Sequence, residues 1–426
     1  MKIKNFKCVL CRKEYKPSEV EYACPKCGSL GVLEINYDYS SFIKDVKVPY
    51  EFKNTMWEFL NFFPIDNSKK IKKYKAEDTQ HFSKDDFKNI PPLKIGGTPL
   101  YRNKDLLKEL QIKDLYIKDD TVNPTSSLKD RASSLVVKLA LDKGVKAITC
   151  ASTGNAASSL AGVCASVGLK CYIFVPKAAP EAKITQLLMY GAEVFAVDGS
   201  YDDAFDLSIE ATKKFGWYNR NTGYNPFTIE GKKTVSLEII KQIISNKLNI
   251  PDKVFVPVGD GCIISGVYKG FYDLMNTGII NKIPQLIAVQ AEGSNAIYLA
   301  MKKGDKIESI KPDTIADSIS VGRPRNGEMA ISNIRASNGF AEVVSDKEIL
   351  DAMRILAKRT GIFAEPAGAT AFAGLLKMSR EKRLRPDETV AIIVTGSGLK
   401  DIGSALKAVK KPHYIKPDMN DVEKNL

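Results

Sequence analysis

Several features whose presence would each point to a partner are missing from this chain of 426 residues. No run of about eighteen apolar residues occurs, the length a membrane-crossing helix needs. The opening "MKIKNFKCVL" lacks the continuous apolar stretch of a secretory leader, so the expected setting is the cytoplasm, with no membrane contact. Nor is there a block of one charge sign. The net charge is +13, but stretches such as "DNSKKIKKYKAED" and "SREKRLRPDE" mix their lysines and arginines with acids. That is the pattern of a solvated surface; nucleic acid calls for a concentrated basic element with interleaved aromatics, so no nucleic-acid partner is expected. The excess charge favours small anionic substrates.

With 44% hydrophobic residues the chain can bury large cores, and its length suggests two domains plus a small appendage. The eight cysteines fall into two groups. Cys150, Cys164, Cys171 and Cys262 sit singly in apolar surroundings and read as core residues. Cys8, Cys11, Cys24 and Cys27 form the two pairs "CVLC" and "CPKC", the second followed by Gly28. Four thiolates at this spacing suit one tetrahedral ion with no open position, hence a structural Zn2+ in a zinc-ribbon-like module over residues 1–38. Iron in the same cage stays open. A disulfide pair fits a reducing compartment poorly, and a redox pair would not need the second CxxC. "LGVLEINYDYS" is expected to complete the module with a strand.

Residues 39–92 read as an arm over the main body, with a short helix in "VPYEFKNTMWEFLNFFP" and a charged connector in "KKIKKYKAEDTQHFSKDDFKNIPP". Trp57, Phe59, Phe62 and Phe63 are expected to pack. From residue 93, short β-branched runs alternate with helical stretches. The expected strands are "DLYIKDD", "KAITCAS", "CYIFVP", "AEVFAVDG", "DKVFVPVG", "PQLIAVQAEG" and "ETVAIIVTGSG". Residues 128–142 read as a helix with one apolar face at Leu128, Ala132, Leu135, Val136 and Leu139. This alternation predicts an α/β chain with two doubly wound parallel-sheet domains. The expected division is a large domain over 93–120 and 225–410, a small mobile one over 121–224, and a polar tail at 411–426.

Ligands of such sheets sit beyond the carboxyl ends of the strands, and four strand ends stand out. In "TVNPTSSLKDRAS", Ser126 or Ser127 can cap a helix and place Lys129 in its first turn. An amine there, partly desolvated beside a positive dipole, has its neutral, nucleophilic form favoured. "CASTGNAASSLAG" offers amides at a buried helix start, a seat for a carboxylate or a plain capped turn. "VPVGDGCIISG" frames a turn with Gly259, Gly261 and Gly266 that could cradle a phosphate; it lacks the Gly-Lys-Ser/Thr ending of a Walker loop. In "IVTGSGLKD", Thr395 offers a hydroxyl to a heteroaromatic nitrogen, and Gly396 and Gly398 allow close backbone approach. A Schiff-base lysine, a carboxylate cradle, a phosphate cup and a ring-nitrogen partner are together the needs of pyridoxal 5'-phosphate.

"IGGTPL", "NPTSSLKDRAS", "ASTGNAA", "NPFTIEGKKT", "FAEPAGATAFAGL" and "VTGSGLKD" occur in the order and spacing of the fold-type II, tryptophan-synthase-β-like family of pyridoxal-phosphate enzymes, which the chain resembles over essentially residues 1–405. The resemblance implies that Lys129 carries the cofactor as a Schiff base and that Asn155 meets its phenolic oxygen. It places Gly259, Asp260, Gly261, Cys262 and Ile263 at the cofactor phosphate and Thr395 at the ring nitrogen. Ser152, Thr153 and Ala156 would border the substrate carboxylate, with Asn221 and Thr222 as further contacts. Two positions depart from the family pattern: Asp260 stands where Asn is usual, and Thr228 stands where an Arg commonly meets substrate phosphate. The implied reaction is conversion of O-phospho-L-homoserine and water to L-threonine and phosphate by a homodimer. The alternatives are β-elimination or β-replacement on serine or O-phosphoserine, as in a dehydratase or a cysteate-synthase-like enzyme, and a binding protein without catalysis, which the presence of Lys129 argues against.

Overall fold

The computed structural model describes the chain except at residues 43, 45, 65–79, 82–86, 178, 180, 305 and 426. Much of the charged connector at 69–92 therefore lies outside the described residues. All seven expected strands form, and they divide between two sheets. A four-stranded, all-parallel sheet has the order Glu193–Val197, Lys170–Pro176, Ala147–Ala151, Tyr218–Asn219. A six-stranded sheet has the order Phe340–Val344, Gln285–Ala291, Lys253–Pro257, Thr389–Val394, Asp114–Asp119, Leu100–Arg102.

The second sheet corrects the expectation of purely parallel pairing, because Leu100–Arg102 runs antiparallel to Asp114–Asp119 at one edge. That strand reaches its neighbour through the short Lys104–Leu110 helix, too little chain for a parallel crossover. It was not visible in the sequence, and neither were Tyr218–Asn219 and Phe340–Val344. Central strands such as Lys253–Pro257 and Thr389–Val394 are buried along their whole length, as sheets covered on both faces require. Phe255, Ile287 and Ile392 face one core with the Pro366–Arg380 helix, while Val254, Val256 and Ala288 face another with the Cys262–Asn276 helix. Each fully buried large apolar side chain contributes about 1.5–3 kcal/mol.

The amino-terminal residues form a three-stranded antiparallel sheet, Glu14–Tyr15, Lys2–Cys8, Leu33–Asp38, the last matching the expected strand. Residues 48–64 do not form one helix. They fold as two short 3-10 segments, Tyr50–Phe52 and Met56–Phe62, with Phe59 off helical angles. The aromatic residues override helical periodicity here: Trp57, Phe62 and Phe63 are buried, and Trp57 packs on Phe63 with ring centroids 5.3 Å apart. Residues 411–420 are exposed and lead to a short helix, Met419–Glu423.

The Lys129–Asp142 helix departs from the one-face pattern, since every residue from Asp130 to Lys138 is buried. Its charged side chains are accommodated by pairing. Arg131 donates from Nε and NH2 to Asp120 (2.6 and 2.8 Å) and from NH1 and NH2 to Glu238 (2.6 and 2.8 Å). Lys118 completes the cluster against Glu238 at 2.8 Å.

Candidate active site

The carboxyl ends of both sheets open onto one cavity of about 600 Å³. Its floor depends on a register: Asp119 lies opposite Val394, so the chains leaving these two parallel strands start side by side. Leu128 N donates to Thr395 O (2.9 Å) and Ser397 N to Ser126 O (3.0 Å), zipping the two turns together. Ser126 adopts a left-handed φ of 63° to allow this. Neither Ser126 nor Ser127 caps the helix, as the sequence had suggested, since Leu128 is the N-cap and makes no side-chain cap bond. The Asp130 carboxylate instead accepts from Thr125 N (2.7 Å) and from Thr125 Oγ1, holding the turn from inside the helix. Lys129, the first helical residue, lines the cavity. Burial lowers its pKa; the Glu365 carboxylate opposes that shift and the Arg220 guanidinium adds to it.

Ser152, Thr153, Asn155 and Ala156 also line the cavity, around the start of the Asn155–Val167 helix. Asn155 Nδ2 donates to Glu365 Oε1 (2.7 Å) and Ser318 Oγ (3.3 Å). Glu365 has its pKa raised by burial, against the pull of Lys400 and Lys129, so the pair Lys129 and Glu365 is biased toward neutral forms. Gly396 passes so close that an added Cβ would lie 2.3 Å from Glu365 Oε1 and 3.2 Å from Asn155 Nδ2. Gly396→Ala is expected to cost about 1–3 kcal/mol by overpacking and to displace the Asn155 amide. Denaturant titration and cofactor affinity check this together.

Gly259 through Ile263 all line the cavity, at the turn from strand Lys253–Pro257 into the Cys262–Asn276 helix. Gly261 has φ 87°, and a Cβ there would meet Ala330 Cβ at 2.7 Å; a Cβ on Gly259 would meet Ile319 Cα at 2.8 Å. Only glycine lets this turn close with its amides free for an anion. The Asp260 carboxylate is turned aside: Oδ1 accepts from Arg325 N at 3.1 Å, and burial raises its pKa. Both facts reduce its conflict with a phosphate.

Other expected residues are placed differently. Thr395 is buried at the strand end but is not among the described residues lining the cavity. Asn221 is also outside that lining; it accepts from Ala151 N (2.7 Å) and donates to Ser208 Oγ (2.7 Å), bracing the fold. Thr222 lines the cavity and accepts from Arg220 NH1 at 2.7 Å. Thr228 is buried and donates to Asn225 O, within its own turn. Sequence reasoning missed Lys232, Arg220, Glu365 and Tyr201. Lys232 and Glu365 lie inside the quoted "NPFTIEGKKT" and "FAEPAGATAFAGL", yet only the fold shows that they face the lysine. Of the scattered cysteines, Cys150, Cys164 and Cys171 are core residues, whereas Cys262 is buried at the cavity wall.

An amine biased to its neutral form, a glycine turn with free amides at a helix start and an amide-lined second helix start fit an aldehyde cofactor bearing a phosphate. The chain belongs to the pyridoxal-phosphate-dependent enzyme family, whose model matches residues 92–396. Within that class it is similar to threonine synthases along nearly its whole length. It is 39% identical to threonine synthase of Methanocaldococcus jannaschii, over 99% of this chain and 98% of that one. With threonine synthase of Methanosarcina acetivorans the identity is 34%, over 98% and 97%. Among solved structures, a threonine deaminase from T.th. superposes with a TM-score of 0.61 at 26% identity, covering 70% of this chain and 92% of that one.

Proposed function

We propose that this chain is a lyase that converts O-phospho-L-homoserine and water to L-threonine and phosphate. The observation that carries the reading is Lys129, held with a lowered pKa on a turn locked to residues 395–397 and facing both helix starts. When bound, pyridoxal phosphate supplies an aldehyde for the substrate amine and an electron sink that acidifies the adjacent carbon. Gly259 through Ile263 would seat its phosphate, and Asn155 would shift its hydrogen bond from Glu365 to the phenolic oxygen. Thr395 is assigned to the ring nitrogen, where a neutral hydroxyl suits elimination and replacement.

The amides and hydroxyls of Ser152, Thr153 and Ala156 orient the substrate carboxylate. Lys129 then takes the Cα proton, since its amine is biased neutral, and its position over the reacting carbons lets it serve neighbouring steps too. Residues 121–224, with Asn221 as brace and Thr222 at the wall, are read as a small unit that closes and excludes water. The Asp202–Arg325 ion pair supports this, because it ties the Tyr201–Phe215 helix to the far wall of the cavity. The test is incubation of purified holoenzyme with O-phosphohomoserine, with phosphate and threonine expected in equal amounts. A second reading, β-elimination or β-replacement on serine or O-phosphoserine, is favoured by the threonine deaminase match and by Thr228; pyruvate or a sulfonate as product, with no threonine, would decide for it.

The cysteine module is assigned one structural Zn2+. The four Sγ atoms of Cys8, Cys11, Cys24 and Cys27 lie within 4.8 Å of one another, and Cys11 Sγ is 3.7 Å from Cys24 Sγ. Tetrahedral Zn–S geometry asks for about 3.8 Å. Metal analysis should find one zinc per chain, and Cys24→Ser should lower both zinc content and melting temperature. Zinc-free protein with unchanged melting would refute the assignment. No helix among the described residues is long and apolar enough to cross a membrane. A homodimer is the assembly this reading implies, and the exposed row Leu399, Ile402, Leu406 and Val409 supports it.

A further inference from the structure

Among the described residues, Lys118, Arg131, Arg220, Lys232 and Lys233 are the basic side chains with no exposure at all. Three of them are neutralised inside the fold: Lys118 by Glu238, Arg131 by Asp120 and Glu238, and Lys233 by Glu230 and Asp273. The other two are not. Lys232 Nζ has no hydrogen-bond partner, and neither has Arg220 NH2. Arg220 is nonetheless fixed in place, with Nε donating to Ser133 Oγ (3.1 Å) and NH1 to Thr222 Oγ1 (2.7 Å). Ser133 lies on the helix that begins with Lys129, and Lys232 itself lines the cavity beside that lysine.

Burial lowers the Lys232 amine to about 7; Cys262 and, less strongly, Asp260 oppose that, while Arg220 and Lys129 add to it. Lys232 stands in the cavity wall and Arg220 behind Thr222, which also lines it. Two basic groups this close without an ion pair are unfavourable until an anion enters, and the Arg220 guanidinium, held by Ser133 and Thr222, is organised in advance for one. The cofactor phosphate has been assigned its own seat in the Gly259 to Ile263 turn. A second phosphate at this wall would satisfy both basic groups.

We propose that Lys232 and Arg220 form the cation pair that receives the phosphate monoester of the substrate, the guanidinium as a directed donor and the ammonium as a point charge. This rests on the reading of the substrate as a phosphorylated amino acid. It makes Thr228 unnecessary for anion recognition, since the charge is supplied by Lys232 at the end of the same Phe227–Lys232 helix and by Arg220 beyond strand Tyr218–Asn219.

The test uses holoenzyme of wild type, Lys232→Gln, Lys232→Arg and Arg220→Gln. Three quantities are read: KM for O-phosphohomoserine, competitive inhibition by inorganic phosphate, and cofactor affinity from absorbance titration. In both Gln variants KM and the phosphate inhibition constant should rise by at least about tenfold, with cofactor affinity changed by less than about threefold; Lys232→Arg should restore most of the loss. Weakened cofactor binding with unchanged KM would overturn the proposal in favour of the cofactor phosphate, and no change in any quantity would overturn it outright. Should Arg220→Gln fail to fold, Lys232→Gln alone decides. Should wild type not turn over O-phosphohomoserine, the substrate reading falls separately. The cation pair then stands if inorganic phosphate raises the melting temperature of wild-type holoenzyme but not of Lys232→Gln, and falls if both respond alike.

Discussion

Lys129→Ala is expected to reduce turnover by about 10³–10⁴-fold or more while leaving the protein folded, because the substitution removes the group that both tethers the cofactor and moves the proton. The two consequences separate experimentally. Borohydride treatment of wild type should fix the cofactor to residue 129, and the variant should carry no such label. The fold should survive because the helix start is held by other atoms: Asp130 braces Thr125, Leu128 N bonds to Thr395 O, and Arg131 locks the next turn. Labelling of a different lysine in wild type would move the chemistry elsewhere in the cavity, with Lys232 the first alternative to examine.

The largest stability effect is expected at Arg131→Met, with a loss of about 3–5 kcal/mol. Methionine matches much of the volume but leaves Asp120 and part of Glu238 as buried, unpaired carboxylates. Adding Asp120→Asn should recover part of the loss, since the penalty comes from the stranded charge and the two sites are in contact. Acid denaturation carries the same signature. Burial works against ionised Glu238, yet Arg131 and Lys118 hold its pKa well below the usual carboxylate value. A depressed carboxylate contributes stability above its unfolded pKa of about 4.3, and that contribution fades as pH falls further. In Arg131→Met the acid loss should therefore be shallower. Equal stability of variant and wild type in chemical denaturation would show that the network is not a stabilising element.

The main strands were legible because central parallel strands are buried on both faces and read as unbroken β-branched runs. The glycine turns and Lys129 were legible for a related reason: a strand end is a local event, and its turn chemistry is written in a few consecutive residues. Edge strands such as Leu100–Arg102 and Tyr218–Asn219 are too short to show a pattern. The aromatic arm read as a helix because periodicity cannot report that Trp57 and Phe63 pack on each other. The charged cavity wall was hidden for a deeper reason. "GKKT" places Lys232 and Lys233 side by side, and nothing local says that one pairs with Glu230 and Asp273 while the other lines the cavity without a hydrogen-bond partner. The bracing of Asn221 was hidden because its partners, Ala151 and Ser208, are remote in the chain.

Strand Thr389–Val394 lies between Lys253–Pro257 and Asp114–Asp119, hydrogen bonded to both. On the ribosome, then, the two halves of the larger sheet wait for a wedge that is translated after both. Pairings this distant in sequence form slowly and leave apolar edges open in the meantime. A nascent chain halted at residue 388 would already hold the lysine and the glycine turn at 259–263, and would still lack the strip of backbone that aims one at the other.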